Sequence, residues 1–212
     1  MTRNVLGNEE IKLAHTFAKE THQGQVRKVS GKDVFFHMED AFDIVFDMTL
    51  PERWNPLVQP MGYPLDVILK NNTALLKAVL LHDTVEDTEV TLADITAQFD
   101  SLTAHYVSIM TEDKSKPWKE RKQHTISLHK EAQDPWVKLI KFADVLSNVR
   151  SCKEDYENVG DVFFKTLKPR SFTEYWFELI DTFSIFKDFD EYKELLELRE
   201  YFAEKILAYP KK

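Results

Sequence analysis

Five glycines in 212 residues leave this chain few places to turn sharply. A turn-rich all-β fold needs many more, so helices are favoured before any pattern is read. Apolar residues recurring at three- and four-residue spacing then mark the helices in turn. The first predicted helix covers residues 8–21 on Ile11, Ala14, Phe17, Ala18 and Thr21, and Gly24 ends it. A second begins near His37 and carries Ala41, Ile44, Val45 and Met48. Four of the eight prolines fall in residues 51–64. Each removes a backbone donor and clashes with the preceding turn, which excludes a long helix. That stretch reads as an ordered surface excursion anchored by Trp54, Leu57, Val58, Met61 and Tyr63. Further helices are predicted at residues 65–82, 92–98 and 102–110, then from Pro117 to 132, and from the Asp134-Pro135 pair to Cys152. Residues 153–161 read as a polar connection, with two last helices at 172–186 and 188–208. The expected fold is all-α, one domain over residues 1–212, in which a C-terminal helical extension closes over the core.

Net charge is −8, so the field of the whole chain opposes polyanions, and long nucleic acid would need a local basic patch. A small anion held by a cation in a pocket is compatible with that field. The single cysteine, Cys152, excludes an internal disulfide and a CxxC zinc site; it is expected as a small buried apolar residue. Residues 1–10 are polar and lack a secretory segment, and no apolar run approaches the ~20 residues of a membrane span. The expectation is a soluble cytoplasmic protein with no membrane partner; a homo-oligomer is compatible with the sequence.

The densest chemical signal is His82-Asp83 followed by Glu86-Asp87. On a helical end these side chains face one another at three and four residues, where like charges repel unless a cation or solvent relieves them. A solvated helix terminus is the plain alternative. Further along, Asp144 and Asn148 lie four apart on a segment otherwise made of Val137, Leu139, Ile140, Phe142, Ala143, Val145 and Leu146. An aspartate among such neighbours is expected to be partly buried, and a buried carboxylate needs a partner or a metal. His37 follows the apolar run Val34-Phe35-Phe36; alone it would pass for a core or capping histidine. Together His37, His82, Asp83 and Asp144 supply two imidazoles and two carboxylates, a mixed set suited to Mn²⁺, Fe²⁺ or Zn²⁺.

The ordered pattern His37, His82-Asp83, Asp144 resembles the HD phosphohydrolase superfamily. A narrower resemblance, to the hydrolase domain of the RelA/SpoT family and its small stand-alone alarmone hydrolases, rests on three stretches and one basic segment. The stretches are His22-Gln23-Gly24-Gln25-Val26-Arg27-Lys28 with Gly31 and His37, Leu80-Leu81-His82-Asp83-Thr84-Val85-Glu86-Asp87-Thr88, and Lys138-Leu139-Ile140-Lys141-Phe142-Ala143-Asp144 with Asn148-Val149-Arg150. The segment, Asp113-Lys114 followed by Lys119-Glu120-Arg121-Lys122-Gln123, carries the likeness to the small hydrolases. The resemblance implies one ion, usually Mn²⁺, on His37, His82, Asp83 and Asp144. It implies that Glu86 and Asp87 activate and orient the attacking water and that Asn148 positions the substrate. Arg27 would stack on the base and Lys28 meet phosphate charge, with Lys114, Lys122 and Tyr175 as further contacts. The implied reaction is removal of the 3′-diphosphate from a (p)ppGpp-type nucleotide. Alternatives are an HD phosphatase or pyrophosphatase on NADPH, pppApp or a dNTP-like nucleotide, and a non-catalytic nucleotide sensor or antitoxin-like binder. The Glu86-Asp87 pair favours an enzyme, since a sensor has no use for it.

Two features depart from the family pattern. The run before His37 is Asp33-Val34-Phe35-Phe36, where the family commonly has a proline and a tyrosine, and residues 51–64 are longer than usual. Both bear on substrate identity more than on catalysis. His124 and His129, five apart and off one face, argue against a second metal site; they are expected at the surface with His15, His22 and His105. The basic run of residues 114–122 around Trp118 reads as a pocket rim in preference to a solvated helix start or a nucleic-acid patch.

Overall fold

A computed structural model describes residues 8–210, so most of the polar segment 1–10 lies outside the described residues. Among the described residues the chain is helical, and the sheet-like pairing is an isolated bridge between Val26 and Asp33. Among the described residues no helix is long and apolar enough to cross a membrane.

Local chemistry sets the helix ends. Helix α1 (Glu9–Thr21) starts where the Asn8 side chain accepts from the Glu10 and Ile11 amides, with two glutamates in its first turn. Helix α2 (Phe35–Met48) follows a tight loop in which the Arg27 amide donates to the Lys32 carbonyl and the Gly31 amide to the Arg27 carbonyl. Gly31 sits at φ +67°, which a side chain would strain. Helix α3 (Pro51–Val58) uses Pro51 in its first turn, and α4 (Leu65–Leu81) runs into the short α5 (Thr84–Asp87). A Thr91/Asp94 capping box opens α6 (Leu92–Gln98), and Asp100 caps α7 (Ser101–Met110). Helix α8 (Trp118–Glu131) is followed by α9 (Pro135–Val159), capped by Asp134 with proline in its first turn. The short α10 (Phe163–Thr166) and α11 (Phe177–Ile180) precede α12 (Asp190–Ala208).

The core is built where α2, α4 and α9 pack on one another, with α1 and α7 against α4 and α12 against α9. Arg150 of α9 ties the layers together: Nη1 donates to Asp40 of α2 at 3.1 Å, and Nε and Nη2 to Glu194 of α12 at 2.7 and 2.6 Å. As expected, Cys152 is buried in this core, as are Phe189, Leu195 and Phe202 of the C-terminal segment.

The fold corrects four sequence expectations. Residues 51–64 are less an excursion than a piece of core, because α3 buries Trp54 and Val58 completely, whereas the expected anchor Met61 is exposed. Pro56 is tolerated because the helix holding it is only eight residues long. The polar stretch 153–161 continues α9 to Val159, since Asp155 and Tyr156 turn inward; Tyr156 meets Phe164 and Phe202 at ring distances of 5.4 and 6.3 Å. Residues 172–186 are not one helix but a π turn (Phe172–Trp176), α11 and a 3₁₀ turn (Asp181–Phe186). Phe183 leaves helical geometry at φ −96°, ψ 15°, and its ring packs on Phe142 at 5.5 Å. Finally, His22 and His129 are buried, not superficial. Burial, with Lys141 and Lys138 nearby, pushes the His129 ring down to about 3, so it is neutral.

Trp54 lies among Trp136, Phe186 and Phe189 at 6.0, 6.2 and 6.5 Å. Trp54→Ala should therefore cost about 3–5 kcal/mol in urea unfolding. A loss below about 1 kcal/mol, the size of a surface substitution, would remove α3 from the cooperative core.

Candidate metal and nucleotide site

Each of the three core helices brings one ligand-type side chain to a common point. His37 is in the first turn of α2, His82 caps the C-terminus of α4, and Asp144 lies within α9. One ligand atom from each lies within 4.8 Å of the others, and all three residues are buried. Asp83 stands outside this tight triple, with Oδ1 3.4 Å from His82 Nε2.

The hydrogen-bond partners fix which ring nitrogens face inward. His82 Nδ1 lies 2.7 Å from the Val79 carbonyl, so it must donate. His37 Nδ1 lies 2.9 Å from Ser147 Oγ, whose own proton goes to the His37 carbonyl at 3.2 Å, so Nδ1 donates here as well. Both Nε2 atoms are then left facing each other at 3.2 Å, with Asp144 Oδ1 at 3.2 and 3.7 Å from them. Two imidazole lone pairs do not rest at that distance without a proton or a cation between them. Burial opposes a charge on His82, but Asp83 and Asp144 outweigh it and raise the ring to about 9. This donor set, with each ring oriented by an outer hydrogen bond, fits a divalent ion of the Mn²⁺, Fe²⁺ or Zn²⁺ kind.

The Asp144 carboxylate is held from the other side as well. Lys141 Nζ donates to its Oδ2 at 2.8 Å and Asn148 Nδ2 to its Oδ1 at 2.7 Å. Burial alone would raise Asp144; Lys141, His37 and His82 overrule it and keep the carboxyl well below the usual range. Lys141, one helical turn earlier on the same face, is reciprocally held charged by Asp144 although burial opposes it.

One turn beyond the histidine–aspartate pair, Glu86 and Asp87 differ in setting. Glu86 is 19% exposed; desolvation raises its carboxyl, while a bond from the Glu112 amide to Oε2 at 3.1 Å partly opposes the rise. Asp87 is 42% exposed and pairs with Lys114, whose Nζ also reaches the Glu86 carbonyl at 2.7 Å.

Two adjoining cavities reach the triple, the inner at Asp144 and the outer at His37, and share Asp83, Asn148, Leu167 and Trp176. The inner one, about 260 Å³, is lined by Glu86, Lys122, Lys141, Asp144 and Tyr175. The outer one, about 360 Å³, is lined by Arg27, Lys28, His37, Asp155 and Phe163. Arg27 is steadied there by a 3.1 Å bond from Nη2 to Asn148 Oδ1, and Lys28 is exposed. The loop carrying them is bolted to α5, since Gln25 Nε2 donates to the Asp87 carbonyl at 3.1 Å. Within the loop Gln25 bonds His22 at 3.0 Å, and the His22 ring meets Thr84 at 3.4 Å. Lys122 donates to Glu112 at 2.6 Å and lies over the Tyr175 ring at 4.6 Å. Lys114 borders neither cavity; it faces Asp87. A larger cavity of about 790 Å³, between α7 and α8, meets the inner one only at Glu112 and holds none of the four expected ligands.

The structure adds residues that the sequence reading passed over. Lys141 stood inside a quoted motif three residues before Asp144, a signal that could have been used. Ser147, Glu112 and Trp176 gave none, because only the fold brings Ser147 to His37, the Glu112 amide to Glu86 and Trp176 to the cavities.

No protein-family model matches the chain. The guanosine-3′,5′-bis(diphosphate) 3′-pyrophosphohydrolase MESH1 of Xenopus tropicalis is 42% identical over 82 residues, 39% of this chain and 45% of that protein. A guanosine-3′,5′-bis(diphosphate) 3′-pyrophosphohydrolase of Aquifex aeolicus is 30% identical over 150 residues, 68% of this chain and 18% of that protein. The matched stretches thus span less than half the length of these curated relatives. The fold is shared with a solved structure reported as a metazoan ortholog of SpoT that hydrolyzes ppGpp. The TM-score is 0.67 at 21% identity, over 92% of this chain and 96% of the other.

Among the ligand residues the Ser147 hydroxyl hydrogen-bonds His37, so its removal tests the outer hydrogen bond. Ser147→Ala should weaken divalent-ion affinity by about 10- to 100-fold in calorimetric titration. Unchanged affinity would mean that the bond does not set the ring.

Proposed function

We propose that this chain, an HD-type relative of the RelA/SpoT alarmone hydrolases, removes the 3′-diphosphate of a (p)ppGpp-type nucleotide, giving GDP or GTP and pyrophosphate. The observation that carries the proposal is the pair of inward Nε2 atoms beside Asp144, opening on cavities that also hold Glu86. Residues 1–212 are read as one such domain, working in the cytoplasm on a small-molecule substrate. One divalent ion, Mn²⁺ by preference, would be held by His37, His82, Asp83 and Asp144. When bound, it would polarise a phosphoryl oxygen and lower the pKa of a water.

The remaining chemistry belongs to the chain. Glu86 is proposed to accept the proton of the attacking water; a carboxylate whose affinity for protons is raised by desolvation is better matched to that task. Attack at the proximal phosphorus breaks its bond to the ribose 3′ oxygen, which takes up a proton on leaving and so balances the one that Glu86 removes from water. Asp87, paired with Lys114, is proposed to steer water and serve that oxygen. Lys141 adds a fixed positive charge to the inner cavity, where preorganised charge is most effective. The planar Arg27 guanidinium, held by Asn148, is set to stack on the base in the outer cavity, with Lys28 near phosphate charge. Lys114 and Lys122 would meet phosphate with the ammonium protons that their carboxylate partners leave free, and Tyr175 lines the inner wall.

The test is the purified protein with Mn²⁺ offered ppGpp, pppGpp, pppApp, NADPH and GTP, with products identified. Pyrophosphate released from ppGpp and pppGpp supports the proposal. Turnover confined to NADPH or pppApp would reassign the substrate, and binding without turnover would make the protein a sensor. Glu86→Gln should cut kcat by about 10²-fold or more and leave KM nearly unchanged. A raised KM at normal kcat would make Glu86 a binding group.

A further inference from the structure

Glu112 has no part in metal or substrate binding as described above, yet two cations clamp its carboxylate beside the site. It lies just beyond the end of α7, in the connection to α8, with a side chain only 7% exposed. Arg121 Nη1 donates to its Oε2 at 2.5 Å and Lys122 Nζ to its Oε1 at 2.6 Å. Both cations come from the first two turns of α8, so the side chain fastens the connection to that helix. The consequence appears at the backbone, where the Glu112 amide donates to Glu86 Oε2 at 3.1 Å. Lys114, two residues on, reaches the Glu86 carbonyl at 2.7 Å.

We infer that Glu112 is a positioning residue. Clamped between Arg121 and Lys122, it holds its own amide against Glu86 Oε2 and so leaves the other carboxylate oxygen aimed at the reacting water. This rests on the reading of Glu86 as the group that accepts the proton. A main-chain donor on one oxygen, with Lys114 Nζ 3.7 Å from the other, restrains rotation about the last bond, and that donor is only as fixed as the connection carrying it. Without the clamp the amide moves with the loop, and the base loses its aim while the metal ligands, on α2, α4 and α9, stay in place. Misplacement of about 1 Å at a reacting group is enough to cost about 10²-fold in rate.

The test is a double-mutant cycle on the full chain with its metal. Glu112→Ala should lower kcat by about 10- to 100-fold with KM changed by less than about threefold and metal content unchanged. Glu112→Gln, which still offers an acceptor to Arg121, should recover most of that loss. In a Glu86→Gln background Glu112→Ala should cost nothing more, because the residue acts only through Glu86. Equal losses in both backgrounds, or a raised KM at normal kcat, would overturn the inference. If Glu86→Gln itself leaves kcat unchanged, the reading of Glu86 falls first and this inference with it. Should Glu112→Ala fail to fold, Arg121→Met removes one arm of the clamp and carries the same cycle with the same two outcomes.

Discussion

Burying the Asp144 carboxylate beside Lys141, His37 and His82 obliges α2, α4 and α9 to meet at one place in one register. A carboxylate removed from water is costly unless its oxygens are occupied, and here Lys141 and Asn148 take one each. Sliding α2 along α9 would cost the His37 contact and the Ser147 bond together. For folding alone an apolar set of similar volume would serve at least as well, because the desolvation of buried ions offsets much of their attraction. The reason for the cluster therefore lies in chemistry, and the surrounding aromatic packing supplies the stability that allows it.

Around that fixed point the more exposed groups are arranged by loops and helix ends. The loop bearing Arg27 is closed by its own backbone bonds and fastened to α5 through Gln25, so a basic side chain is delivered to the ligand triple without a helix of its own. Opposite it, the connection after α7 brings Glu112 and Lys114 to Glu86 and Asp87. Every proposed phosphate-binding lysine outside the Arg27 loop already has a carboxylate partner, Lys114 with Asp87 and Lys122 with Glu112. In a chain of net charge −8, such pairs keep cations at a cavity proposed to receive a polyanion.

Much of this was legible in the sequence, and the parts that were not share a cause. The positions of α1, α2, α4 and α6 to α9 follow apolar spacing and caps such as Asn8, Thr91 and Asp134, all of which act within one turn. The triple was legible because its members stand in recognisable local settings, above all His82-Asp83 and the apolar run around Asp144. The extension of α9 past Cys152 was not, because Lys153, Glu154 and Glu157 look like a connection unless one knows that Tyr156 meets aromatics from two later elements. Trp54 hid in a proline-rich stretch for the same reason, its partners lying some 80 or more residues away at Trp136 and Phe186. The burial of His22 beside Thr84, and the roles of Ser147 at His37 and of the Glu112 amide at Glu86, likewise rest on contacts between distant segments.

The central claim is that one divalent ion sits between two imidazoles and the Asp144 carboxylate. Pulsed electron paramagnetic resonance of the Mn²⁺-loaded protein, prepared with ¹⁵N-histidine, reads the ligands directly. The account predicts one ion per chain coupled to two histidine nitrogens, falling to one nitrogen in His37→Ala. A tightly bound ion with no histidine nitrogen in its coordination sphere would contradict it.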